Sequence, residues 1–118
     1  MADKFIKPLV WLGDSLKNIQ EFPEPVKKDV GDSLQVVQWG GMPSNAKPLK
    51  GIGSGIYEII QRYDTNTYRA VYALKIGERV YVLHAFQKKS KTGIKTSQQD
   101  IDIIRKRYRE AIEGENRS

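Results

Sequence analysis

The chain is 118 residues long, 39% hydrophobic and 29% charged, with no cysteine and one histidine. These values fit one domain with one core and exclude disulfides, thiolate metal sites and an imidazole cage for a transition metal; no apolar run is long enough to cross a bilayer. The net charge of +6 and pI near 9.6 favour an anionic partner, and the surplus is local: His84 to Arg109 holds eight basic and two acidic residues, against twelve of each elsewhere. Nucleic acid is the commonest partner for such a region, an acidic protein the next, and a solvated face the third. Met1 to Phe5 carries an early acid and no apolar stretch, so the cytoplasm is the expected compartment.

In chain order, Phe5 to Trp11 is largely apolar and ends at Gly13, which suits a first strand. Asp14 or Ser15 offers an N-cap to a short helix with Leu16, Ile19 and Gln20, stopped by Pro23. Pro25 fits the first turn of a second helix, in which Val26, Val30, Leu34 and Val37 or Gln38 recur at helical spacing up to Gly40-Gly41. Residues 41 to 55 are rich in turn formers and read as a connecting loop. The glycines at 51, 53 and 55 do not make a phosphate loop, because they precede a strand and no helix N-terminus.

Three strands follow, Ile56 to Arg62, Thr67 to Lys75 and Arg79 to Phe86, joined by turns at 64–66 and 76–78 that are short enough to require antiparallel neighbours. Ser97 to Asp100 has the form of a capping box, and Ile101, Ile104, Tyr108 and Ala111 or Ile112 share one stripe of the helix it opens. Asp100 and Asp102 read as partners of that helix's N-terminal dipole. The expected order is β-α-α-β-β-β-α: a small, mainly antiparallel sheet in an α+β domain over residues 1–113, with the helices on one side and a frayed tail at 114–118.

Several side chains carry chemistry. Arg69 lies mid-strand, where a guanidinium can grip a phosphate in bidentate fashion; the plainer alternative is a salt bridge to Glu58. Lys88 and Lys89 leave the third meander strand together, and alternation sends them to opposite faces; they read as cations for a phosphate or as a solvated turn that ends the strand. Lys91, Lys95 and Arg105 add cations to the same region. His84 is the one side chain of the type that changes charge near neutrality, and it reads either as acid or base or as a hydrogen-bonded strand histidine. Tyr108 would stack on a base or pack in the core. Glu58 would act as a base or pair with Arg69.

Four stretches resemble a known family: residues 7–16 (KPLVWLGDSL), 47–59 (KPLKGIGSGIYEI), 68–72 (YRAVY) and 82–89 (VLHAFQKK). In order and spacing they are similar to the phage-derived branch of the RelE/HigB-type toxins of bacterial toxin–antitoxin modules. The resemblance implies the compact RelE-like fold and a metal-independent mRNA endonuclease, ribosome-dependent or free, that inhibits translation without a cofactor. In such cleavage the ribose 2′-hydroxyl attacks the adjacent phosphate. The implied partners are a helix-turn-helix antitoxin, mRNA and the ribosome, with no membrane and no small-molecule cofactor. It further implies catalytic roles for Arg69, Lys88, Lys89 and Glu58, whereas other members of the superfamily work without a histidine at the place of His84. Some RelE relatives carry lysines where this chain has Glu58 and Ile60, which leaves the general base open. The alternatives are a non-catalytic or gyrase-targeting relative of the same fold, or an inactive phage-derived RNA-binding protein.

Overall fold

The computed structural model describes residues 6–88 and 96–117. The elements run β1 (Leu9–Trp11), α1 (Ser15–Gln20), α2 (Glu24–Gln38), β2 (Ala46–Pro48), β3 (Ile56–Tyr63), β4 (Asn66–Ile76), β5 (Arg79–Lys88) and α3 (Gln98–Asn116). One five-stranded sheet has the order β1-β5-β4-β3-β2; every pairing is antiparallel except that of β1 with β5. The α+β class and the meander match the sequence reading. An added strand, β2, lies inside the segment read as a loop; it is a short edge strand, where Pro48 costs the sheet no interior hydrogen bond.

The expectation that all helices lie on one side is corrected. Ile19 from α1, Phe22 from the link after it, and Val26, Val30, Leu34 and Val37 from α2 pack on one face with Ile59, Tyr68, Ala70, Tyr72, Val80 and Val82. Ile104 and Ala111 of α3 pack on the other face with Ile56, Val71, Ala73, Tyr81 and Leu83. The cause is legible in β4, whose residues Tyr68 to Ala73 are buried in succession: a strand apolar on both faces needs cover on both. Each large aliphatic side chain in these layers contributes on the order of 1.5–3 kcal/mol by leaving water.

Local signals account for the connections. Pro25 opens α2, and Ser97 caps α3 by accepting from the Asp100 N–H at 3.2 Å. The β3–β4 hairpin turns on Asp64 and Thr65, both at positive φ (50° and 65°), as a two-residue turn with the twist of a hairpin requires. The frayed tail expected from Gly114 is instead helix as far as Asn116. Its anchor is Glu115, which accepts from Arg79 at 2.9 Å and from the Tyr81 hydroxyl at 2.7 Å over the β4–β5 turn. Gly77 leaves room for that carboxylate, since a Cβ there would collide with it. Among the described residues no helix is long and apolar enough to cross a membrane.

Candidate functional site

The site is built on the face of the sheet that α3 covers only in part. Register sets Glu58, Val71 and His84 side by side on β3, β4 and β5, then Ile60, Arg69 and Phe86. Arg62, Thr67 and Lys88 make the next row. Side chains two apart on a strand share a face, so Glu58, Arg69, His84 and Lys88 gather on one surface. The histidine reaches it through a β-bulge. Tyr72 pairs with Val82 but Val71 pairs with His84, so Leu83 is the extra residue, and Leu83 and His84 both face α3. Simple alternation from Val80 and Val82 would have sent His84 to the α1–α2 side.

Two polar groups lie beneath this surface. Arg69 and Glu58 are 4% and 3% exposed, and the guanidinium donates to Glu58 Oε1 at 3.0 Å. Thr96 donates to the other carboxylate oxygen at 3.4 Å, and Lys47 Nζ lies 4.0 Å from Oε1. The salt bridge read as the plain alternative for Arg69 is therefore present. His84, 5% exposed, contacts Asp100 Oδ1 through Nε2 at 2.9 Å. Its Nδ1 lies 3.4 Å from Arg107 Nη1, and its ring stacks on Phe86 with centroids 4.8 Å apart. A guanidinium can only donate, so Nδ1 accepts and Nε2 carries the proton given to Asp100.

Arg107 extends this network. It donates to the Leu83 carbonyl at 3.1 Å and pairs with Asp14 at 2.9 Å, clasping α3 to β5 and to the start of α1. Burial raises the Asp14 carboxyl, but the Arg107 guanidinium outweighs that effect and holds the group below its ordinary value. Gly13, at φ 55°, makes room for Arg107, whose guanidinium a Cβ would strike.

The remaining expected residues are more scattered. Lys88 sits half-buried at the end of β5. Arg105 is exposed on α3 and donates to the Gly51 carbonyl at 3.1 Å. Tyr108 packs, partly buried, against the core beneath α3 and close to Gly53, as in the core-packing alternative of its sequence reading. Lys89, Lys91 and Lys95 lie outside the described residues. Sequence reasoning missed Asp14, Thr96 and Arg107. The seven-residue interval from Asp100 to Arg107, two turns on one helix face, is the signal that linked the last of them to His84. Among the described residues no three carboxylate or imidazole groups gather in a metal-ligating cluster.

This α+β chain belongs to the phage-derived Gp49-like protein family, whose profile matches residues 17–109, from α1 into α3. That family is associated with toxin–antitoxin modules, and the matched span contains Glu58, Arg69, His84, Lys88 and Arg107. No curated protein matches the chain.

Proposed function

We propose that the chain is the toxin of a toxin–antitoxin module of the RelE/HigB type and that it cuts mRNA on this sheet face, with a helix-turn-helix antitoxin as its partner. The observation that carries this reading is the shared face of the Glu58–Arg69 pair and Lys88, in a chain whose positive surplus falls in the sequence stretch from His84 to Arg109. An RNA phosphate offers Arg69 a second carboxylate-like partner of matching fork geometry. As Arg69 turns to it, the Glu58 carboxylate is released to accept the ribose 2′-hydroxyl proton. The 2′-oxygen then bonds to phosphorus, the bond from phosphorus to the 5′-oxygen breaks, and that oxygen takes up a proton. Lys88 and Arg69 stabilise the charge on the phosphoryl oxygens, a contribution of roughly 100- to 1,000-fold for one positioned donor. His84 has both ring nitrogens engaged, so in this scheme it holds the site in place and Glu58 moves the proton.

The test is induction of the wild-type chain and of Glu58→Gln in cells, with message ends mapped and the purified protein assayed in chelator with and without ribosomes. Cut messages from the wild type, undiminished by chelator and absent for Glu58→Gln, are expected. A second reading draws on the same burial: Arg69 and His84 are nearly enclosed and held by protein partners, as in a non-catalytic relative that acts on a protein such as gyrase. Intact messages with accumulating DNA breaks would favour it.

A further inference from the structure

Beyond the Glu58–Arg69 pair, the same sheet face carries a row with two cations and no acid. Register sets Arg62, Thr67 and Lys88 side by side on β3, β4 and β5, and alternation turns all three to the face that carries Arg69. Arg62 and Lys88 stand two strands apart, roughly 10 Å. Each lies diagonally across one strand pair from Arg69, about 7–8 Å away. Other cations of this face have a carboxylate: Arg69 meets Glu58 at 3.0 Å and Arg107 meets Asp14 at 2.9 Å. Arg62 is exposed, Thr67 and Lys88 are half-buried, and among the described residues no acid pairs with Arg62 or Lys88. Asp64, exposed in the hairpin turn beyond the row, pairs with neither. Like charges held this close repel, and an anion lying across the row removes that cost.

We propose that Arg62 binds the RNA phosphate next to the scissile one. The strand then crosses β5, β4 and β3 with one phosphate at Lys88 and Arg69 and its neighbour at Arg62. A guanidinium takes a phosphate in bidentate fashion, and the Thr67 hydroxyl adds a neutral donor between the two cations. Arg62 is a positioning residue: it touches no bond that forms or breaks. By fixing the strand on the non-reacting side it holds the 2′-hydroxyl near Glu58. The proposal rests on the reading of this face as an RNA-cutting site.

The test titrates 2′-O-methyl diuridylate and triuridylate, without terminal phosphates, into the 15N-labelled full chain. These carry one and two phosphodiesters and cannot be cut, because the attacking hydroxyl is blocked. Wild type should bind the trinucleotide about tenfold more tightly than the dinucleotide, the worth of one charge-assisted contact. Arg62→Gln should abolish that gain while dinucleotide binding and the melting curve stay as in wild type, and Arg62→Lys should restore part of it. In the cleavage assay Arg62→Gln should raise KM about tenfold with kcat little changed, since the contact is the same before and at the transition state. A trinucleotide that binds no better than the dinucleotide, or a gain that survives Arg62→Gln, would overturn the proposal. Cut messages alongside that result would leave the endonuclease reading intact. An Arg62-dependent gain with intact messages would do the reverse, keeping the phosphate site and removing the cleavage.

Discussion

Arg69 and Glu58 show at the scale of one residue why a functional cation is hard to tell from a structural one. A buried guanidinium cannot stay ionised cheaply without an anionic neighbour, so either role brings a carboxylate beside it. Stability and activity separate the two. Arg69→Ala leaves the buried Glu58 with only the more distant Lys47 as a cation and should cost roughly 3–5 kcal/mol in urea denaturation. Replacing both, Arg69→Met with Glu58→Leu, should restore most of that loss and no cleavage. Lys88→Ala should leave the denaturation midpoint unchanged within about 0.5 kcal/mol and cut RNA cleavage roughly 100-fold or more. Full activity in the folded Lys88→Ala protein would remove Lys88 from the site.

Among elements, α3 is decisive, because its two ends hold the sheet in different ways. Asp100 near its start and Arg107 at its middle bracket His84, and Arg107 reaches Asp14; at its end Glu115 meets Arg79 and Tyr81. Gly13→Ala should displace Arg107 as well as strain the backbone, lowering stability by about 1–3 kcal/mol, while Gly31→Ala on α2, with open space around it, should not destabilise the chain. Both Asp14 and Glu115 are held below their ordinary values, Asp14 by Arg107 against the opposing effect of burial and Glu115 by the Tyr81 hydroxyl and Arg79. Groups lowered in this way contribute fully above their unfolded pKa and lose that contribution as pH falls through the folded one. The anchorage of α3 should therefore weaken as pH drops from about 5 towards 2. Melting curves of wild type and Asp14→Asn should converge in that range, and a constant gap down to pH 2 would refute the assignment.

For the molecule as a whole, the +6 charge predicts electrolyte-sensitive RNA binding more firmly than it predicts chemistry. Each phosphate contact contributes a slope of about −0.7 to the dependence of log affinity on log salt for a single strand. Lys88→Ala should lower the measured slope by about that amount. Arg107→Gln should change it little, because its guanidinium is occupied by Leu83, His84 and Asp14. A large drop for Arg107→Gln would show that the clasp opens on RNA. The basic count of the His84 to Arg109 window thus overstates the surface available to an anion, since part of it is spent inside the fold.

Periodicity alone was enough for α1, α2, the β3–β4–β5 meander and α3, because each has an apolar stripe or alternation bounded by a cap, a proline or a turn residue. It also brought Arg69, His84 and Lys88 into consideration, since charges and an imidazole in apolar strands stand out against their neighbours, whereas Glu58 entered as a candidate base with the family resemblance. Only the tertiary structure decided where they point. The bulge at Leu83 shifts His84 by one position, and a face reversed by a single extra residue leaves no mark in the pattern of letters. The placement of α3 opposite α1 and α2 and the Arg107 clasp likewise depend on contacts between residues distant in the chain, which local sequence signals do not encode.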